Sequence, residues 1–205
     1  LNLREAFELY DWSVAAIADF WAAMWDFSHI IASQHYREVV DDATKMPRAK
    51  WFSGARLNFA QNLLRHRDDR TALIFRGEGQ PDRSLTYAEL HAEVEKLAYA
   101  LRELDVNEGD RVAGFMPNMP ETVIAMLAAA SVGAIWSSSS PDFGIKVILD
   151  RFSQIEPKVL LAVDGYRYGG RDYPRMDAVR EIRRRPAIDH PPASVDHPSQ
   201  QALAT

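Results

Sequence analysis

The sequence predicts an α/β protein with a doubly wound, mostly parallel sheet, helices on both faces of it, and an N-terminal helical segment before it. The first observation is that apolar runs typical of strands alternate with segments of helical periodicity between residues 71 and 163. The second is that two of those runs, 112–116 and 159–163, are apolar throughout. Strands that are covered on both faces have this composition, and parallel strands need crossover connections that helices supply.

Composition excludes several classes of function. The 205 residues include 24 basic and 29 acidic side chains, and the net charge of −5 disfavours a nucleic-acid partner. Because the chain has no cysteine, a disulfide scaffold, a thiol nucleophile and a cysteine-ligated metal are all excluded, and a cytoplasmic location is expected. Residues 122–141 carry no charge, but Gly133 and the run Ser137–Ser140 interrupt them, which predicts a buried helix and strand and no membrane partner.

The N-terminal 70 residues are predicted to form a helical segment of their own. Ser13 is predicted to cap a helix, and its apolar face carries Val14, Ile17, Trp21 and Trp25 at helical spacing. A second, short helix is predicted over residues 57–64. The Trp51–Gly54 stretch before it is interpreted as a packed loop.

The body of the domain, residues 71–182, is predicted to begin with a strand over 72–75 and a short strand over 84–86 returning beside it. Thr86 and Glu89 form a capping box, which predicts the start of a helix over 87–104.

The remaining elements of that domain follow in regular alternation. Pro120 suits the first turn of a helix, because proline has no amide hydrogen to leave unpaired. The predicted order is a strand over 111–116, a helix over 120–131, a strand over 134–137, a helix over 145–152 and a strand over 158–163.

The composition changes at Arg183. Residues 183–205 hold four of the eleven prolines and two of the six histidines, without hydrophobic periodicity. This segment is predicted to be disordered.

The familiar catalytic and nucleotide-binding motifs are missing from the sequence. It contains no G-x-G-x-x-G fingerprint, no G-K-[ST] ending and no G-x-S-x-G elbow. Its histidines are scattered without the spacing of a zinc site. We therefore assign no catalytic and no metal-ligating residue.

Two loops that follow predicted strands are candidate binding sites, since ligands of open α/β sheets bind beyond the carboxyl ends of strands. Residues 137–144 offer hydroxyls and amides for an anion; alternatively, the serines satisfy the strand end and Asp142 caps the next helix. Residues 164–171 offer arginines and aromatic rings for a phosphate or a base; alternatively, they form a flexible surface loop.

Several stretches together resemble one family, the adenylate-forming acyl-CoA synthetases, and within it the ligases that act on acetoacetate. The resemblance covers residues 9–182. It is carried by D-W-S-V at 11–14, K-W-F-S-G-A-R-L-N-F-A at 50–60, L-T-Y-A-E-L at 85–90, N-M-P-E-T at 118–122 and V-G-A-I-W-S-S-S-S-P-D-F-G at 132–144.

The resemblance implies a two-step ligase that uses ATP, magnesium and coenzyme A. The carboxylate of acetoacetate attacks the α-phosphate of ATP, and the thiol of coenzyme A then displaces AMP from the acyl-adenylate. It further implies that Ser140, Pro141 and Asp142 lie near the coenzyme A arm and that Arg167 contacts its phosphates.

Much of that machinery has no match in these residues. The family's Ser-Gly-Thr-Thr-Gly-x-Pro-Lys phosphate loop and the lysine of its C-terminal domain are both missing. We therefore expect an incomplete ligase that is inactive alone, with a tail from Arg183 that a frameshift would produce. The alternatives are a non-catalytic module with weak coenzyme A binding, a ligase for another short-chain acid such as acetate, and an unstable vestigial product.

Overall fold

The computed structural model describes residues 3–184. The chain divides between Asn62 and Leu63 into two compact units, each with its own internal packing. The predicted domain boundary after residue 70 stays a prediction. The predicted disorder of 183–205 falls, from residue 185 onward, outside the described residues.

The first unit begins with two helices where one was predicted. They are α1 (Leu3–Ala15) and α2 (Ile17–Phe27), and the chain between them leaves helical geometry at Ala16, with φ −126° and ψ 60°. The prediction that Ser13 caps a helix is wrong, because Ser13 lies in the last turn of α1. Its hydroxyl donates to the Tyr10 carbonyl at 2.7 Å.

A small antiparallel sheet follows these helices. It pairs β1 (Glu38–Val40) with β2 (Trp51–Ser53), so the predicted packed loop at 51–54 is largely a strand. Trp25, only 8% exposed, packs its ring against Phe52 with ring centroids 4.9 Å apart. The short helix α3 (Phe59–Leu63) comes next, close to where it was predicted.

The second unit opens with a hairpin and a long helix. Strands β3 (Thr71–Phe75) and β4 (Arg83–Thr86) pair antiparallel, as the sequence predicted. Helix α4 (Tyr87–Glu103) follows immediately, and its capping box is confirmed. The Thr86 hydroxyl accepts from the Glu89 amide at 3.1 Å, and the Glu89 carboxylate accepts from the Thr86 amide at 2.8 Å.

The predicted parallel sheet is confirmed with three strands. Its order is β6-β5-β7, and both neighbours run parallel to the central strand. In the described chain, β3 and β4 form a separate two-stranded sheet rather than its edge. The elements are β5 (Arg111–Phe115), α5 (Pro120–Ser131), β6 (Ile135–Ser139), α6 (Ile145–Ile155) and β7 (Val159–Ala162).

Helices cover both faces of this sheet, which confirms the predicted architecture. On one face, α6 and α7 (Met176–Arg183) pack against the strands. On the other, α5 packs against β5 and β6, and α4 packs against α5. Successive side chains of a strand point to opposite faces of the sheet, so a single strand contributes to the hydrophobic core on each face. The core on the α6 side consists of Ala113, Phe115, Ile148, Phe152, Leu160 and Ile182.

A second hairpin leaves the sheet after β7. Strands β8 (Gly165–Tyr168) and β9 (Arg171–Pro174) pair antiparallel around a two-residue turn. Both turn residues, Gly169 and Gly170, have positive φ, 59° and 75°. Such a turn matches the twist of the flanking strands and strongly favours glycine. The interpretation of 164–171 as a flexible loop is therefore replaced by a defined hairpin.

Candidate functional site

A cleft of about 210 Å³ lies at the carboxyl end of the parallel sheet. The connection from β5 to β6 runs to one side of β5, and the connection from β6 to β7 runs back to the other. The carboxyl ends at such a reversal are the usual ligand site of open α/β sheets. The cleft is lined by the β3–β4 turn (Phe75, Arg76, Gly77, Glu78, Gln80), the loop after β5 (117–119), Asp142 and strand β8 (Gly165, Tyr166, Arg167, Tyr168).

The loop after β6 brings three of the predicted site residues together. The Ser140 hydroxyl donates to the Asp142 carboxylate at 3.0 Å, and Pro141 is buried. Helix α6 is capped by Gly144 without a side-chain hydrogen bond, so the alternative that Asp142 caps this helix is wrong. Asp142 lines the cleft instead.

Arg175 fixes this loop to the second hairpin. Its Nε donates to the Pro141 carbonyl at 2.7 Å, and a terminal nitrogen donates to the Tyr166 hydroxyl at 3.0 Å. The guanidinium also lies over the Tyr166 ring, 5.0 Å from its centroid, and Tyr166 stacks on Tyr173 at 5.2 Å. Cation–π contact and hydrogen bonding together hold the arginine in one geometry. Sequence reasoning missed Arg175, although an arginine following a Tyr-rich segment was visible.

The surroundings of the Tyr166 phenol act on its pKa in two directions. Burial raises the pKa of Tyr166 above its usual value, and a hydrogen bond to the Asp142 carboxylate raises it further. The positive charge of Arg175 acts in the opposite direction on that pKa. The Tyr166 hydroxyl therefore donates to Asp142 and accepts from Arg175, which joins the loop after β6 to strand β8.

Arg167, the fourth predicted residue, also lines the cleft. It pairs across the hairpin with Asp172, the two charged groups being 3.6 Å apart. Its stem packs against Gly79, where an added Cβ would lie 3.0 Å from the arginine Cδ. The side chain keeps 40% of its surface exposed, so its charge reaches the solvent of the cleft.

The two hairpins are joined at the rim of the cleft. The Glu78 carboxylate, in the β3–β4 turn, accepts from the amides of Gly169 and Gly170 at 2.8 and 2.5 Å. Nothing in the sequence pointed to this contact, because the partners are more than 90 residues apart.

Residues 3–184 contain no group of three or more side chains suited to hold a metal ion. Within the same range, no helix is long and apolar enough to cross a membrane.

Comparison with known proteins identifies the family to which this chain belongs. The family model for AMP-binding enzymes matches residues 59–203, and the model for the acetyl-coenzyme A synthetase N-terminus matches residues 6–63. The chain belongs to the AMP-binding enzyme family. The family match extends to residue 203, beyond residue 182, where the resemblance was expected to end.

Several relatives of this chain are acetoacetyl-CoA synthetases, and one that is 40% identical over 88% of the chain is a malonamoyl-CoA synthetase of Penicillium aethiopicum. An acetoacetyl-CoA synthetase of Macaca fascicularis is 47% identical over 89% of this chain, and one of Rhizobium meliloti (strain 1021) is 49% identical over 85% of it. Among solved structures, acetoacetyl-CoA synthetase from Streptomyces lividans matches 85% of the chain with a TM-score of 0.80 and 47% identity. The chain spans 28%, 26% and 27% of these three proteins, respectively.

These matches confirm the family resemblance that the motifs indicated and the fold class drawn from the alternating pattern. The similarity is to the N-terminal part of acetoacetyl-CoA synthetases. The assignment of Ser140, Pro141, Asp142 and Arg167 to a ligand site stays a prediction. Of the four, Asp142 and Arg167 line the cleft, whereas Ser140 and Pro141 do not.

Proposed function

We propose that this chain is the N-terminal part of an AMP-forming acid–thiol ligase that joins acetoacetate to coenzyme A through an acyl-adenylate. The observation that carries the proposal is the 47% identity to an acetoacetyl-CoA synthetase over 89% of the chain. A ligase for another short-chain acid, such as acetate, is the alternative within the family. A cytoplasmic location belongs to the same proposal, since a chain without cysteine is typical of a reducing compartment.

The proposed role of the cleft is to bind part of coenzyme A. Its volume of about 210 Å³ is below the roughly 300–1,000 Å³ of pockets that enclose a whole small ligand. Arg76 and Arg167 supply positive charge for phosphoryl groups, and the exposed ring of Tyr168 supplies an apolar face for a base. Asp142, which lines the same cleft, offers a carboxylate acceptor to the polar arm of the ligand.

ATP and magnesium fit these residues less well than coenzyme A does. The sequence has no glycine-rich phosphate loop, and the described residues offer no cluster of carboxylates for a divalent ion. We therefore derive no step of the adenylation from this chain. Its own contribution in the proposal is to bind and orient coenzyme A.

Removing the charge of Arg167 tests the proposed site. We expect Arg167→Met to weaken coenzyme A binding about tenfold, the usual cost of losing a charge-assisted hydrogen bond to a phosphoryl group. Calorimetric titration of the purified 205-residue chain measures this. Arg180→Met is the matched control, because Arg180 is exposed on α7, pairs with Asp177 and does not line the cleft. No heat with millimolar coenzyme A in the unmodified chain would remove the site from the proposal.

A second candidate is a non-catalytic module that binds coenzyme A weakly. It is favoured by the position of the cleft, which is lined wholly by residues between 75 and 168, without any phosphate-loop element. Both candidates predict coenzyme A binding, and only the ligase predicts turnover when the missing machinery is supplied.

A further inference from the structure

A closed ring of hydrogen bonds joins the loop after β6 to the second hairpin, and Arg175 is its centre. The Nε of Arg175 donates to the Pro141 carbonyl at 2.7 Å, and a terminal nitrogen donates to the Tyr166 hydroxyl at 3.0 Å. The Tyr166 hydroxyl is hydrogen-bonded in turn to the Asp142 carboxylate. Because Pro141 and Asp142 are consecutive residues, these contacts fix both the backbone and the side chain of the loop.

The guanidinium of Arg175 acts from behind the wall of the cleft. In the described chain, Asp142 and Tyr166 line the cleft and Arg175 does not. Its amide donates to the Asp164 carbonyl at 2.6 Å, and its guanidinium lies over the rings of Tyr166 and Tyr173, 5.0 and 5.7 Å from their centroids. A planar guanidinium can stack on a ring and reach two acceptors at once, which a lysine ammonium cannot do.

The loop that Arg175 contacts has long backbone hydrogen bonds of its own. The amides of Asp142 and Phe143 donate to the hydroxyl and the carbonyl of Ser140, each at 3.3 Å, slightly longer than the usual distance. Asp142 and Phe143 are exposed, and a Cβ added to Gly144 would meet no atom within 4 Å. Segments with few buried contacts open at a low cost in free energy. We therefore expect the loop to adopt other shapes when the guanidinium is removed.

We propose that Arg175 is a positioning residue of the cleft, which holds Pro141 and Asp142 in the shape that receives the ligand and does not contact the ligand itself. The apparent affinity for a ligand that binds one shape falls with the fraction of molecules in that shape. Loss of Arg175 lowers the association rate constant and leaves the dissociation rate constant unchanged, because the contacts in the complex stay the same. Only the identity of the ligand, coenzyme A, rests on the proposed function; the shape of the loop does not.

Titration of the ¹⁵N-labelled 205-residue chain with coenzyme A measures both rate constants through the line shapes. We expect Arg175→Met to lower the association rate constant about tenfold, the value for a loop that keeps its binding shape in about one molecule in ten. Arg167→Met, which removes a proposed direct contact, should instead raise the dissociation rate constant. Arg180→Met should change neither, because Arg180 is exposed on α7 and pairs with Asp177.

Hydrogen exchange of the ligand-free chain tests the same role without coenzyme A. We expect the Asp142 and Phe143 amides to exchange more than about tenfold faster in Arg175→Met, as the loop opens. The amides of β5 should keep their exchange rates, which shows that the sheet stays folded. Arg175→Lys keeps the charge and cannot span both acceptors, so it should also speed the exchange of the two loop amides.

The outcomes separate a positioning residue from a ligand contact and from a general stabiliser. An unchanged association rate constant, a raised dissociation rate constant or unchanged loop exchange in Arg175→Met would each overturn the proposal. If the β5 amides also lose protection in that variant, Arg175→Lys takes its place, and unchanged loop exchange there overturns the proposal. The absence of coenzyme A binding by the unmodified chain would remove the proposed function, and loop exchange would then decide the role of Arg175.

Discussion

Gly114 in the central strand of the sheet allows the Trp136 indole to lie across its backbone. A Cβ built on Gly114 would lie 2.5 and 2.7 Å from two atoms of that ring, well inside van der Waals contact. The two residues lie on paired strands, Gly114 opposite Ser138 and Trp136 opposite Val112. Glycine is therefore required here by close approach of an aromatic ring and not by its backbone angles.

Substituting alanine at this position should be costly. We expect Gly114→Ala to lower the free energy of unfolding by about 1–3 kcal/mol, the usual range for overpacking a well-packed site. Urea unfolding followed by tryptophan fluorescence measures it. Adding Trp136→Leu to Gly114→Ala removes the clash, so the double variant should lose less stability than the two single effects added together. Additive effects would contradict the assigned contact.

Arg175 illustrates which features of the site no sequence argument could supply. Its hydrogen bond to the Pro141 carbonyl joins residues 34 positions apart, and its contact with Tyr166 depends on the register of β8 against β9. The loops that hold Asp142 and Arg167 were candidates because each follows a predicted strand, and the family resemblance then singled out these two residues. Arg175 lies beyond an unpredicted hairpin, so its role emerged only with that hairpin in place.

Among the helices and strands, helix α4 was predicted best, because residues close together in the sequence determine where it begins. The Thr86–Glu89 capping box satisfies two amides that helix geometry leaves without partners. We expect Thr86→Ala to lower the free energy of unfolding by about 1 kcal/mol at pH 7. Chemical denaturation measures this, with Thr71→Ala on the paired strand β3 as a control for loss of a threonine from the same hairpin.

The contribution of Glu89 to that box should depend on pH. Hydrogen bonds from the Thr86 amide and then from its hydroxyl lower the pKa of Glu89 below the usual 4.5. A carboxylate with a lowered pKa stabilises the folded state above its ordinary pKa, and that contribution is lost as the pH falls through the lowered value. The difference in stability between the unmodified chain and Glu89→Gln should therefore shrink when denaturation is repeated below pH 4. A difference that stays constant would contradict the carboxylate's part in the box.

The hairpin β8–β9 was not predicted, because the sequences of its two strands lack the usual strand pattern. Its strands have four residues each and alternate glycine, tyrosine and charged side chains, with exposed or half-buried positions throughout. Such strands lack the apolar run that identified β5 and β7. The Gly169-Gly170 pair is by itself typical of a hairpin turn, but residues 164–171 were predicted only to form a binding loop or a flexible loop.

At the scale of the whole molecule, the order of the parallel strands was not predictable from the pattern. Alternating strands and helices predict a doubly covered parallel sheet, but they do not say on which side of β5 each new strand is added. The observed order β6-β5-β7 makes β5 central and puts the reversal of direction at its carboxyl end. That reversal positions Asp142 and Arg167 on one cleft.

The last prediction concerns catalysis by the chain as a whole. The proposed reaction develops negative charge on the phosphates of ATP, and its transition state needs donors already positioned around that charge. These 205 residues contain no phosphate-loop element, so we expect no acetoacetate-dependent release of AMP from the purified chain. Acetoacetyl-CoA synthetase from Streptomyces lividans, assayed under the same conditions, is the positive control. Turnover by the 205-residue chain above the level without acetoacetate would mean that another group, absent from our assignment, stabilises the transferred nucleotide. Coenzyme A binding without turnover would instead show that the cleft at the end of β5 binds the ligand and that the catalytic step needs groups that these residues lack.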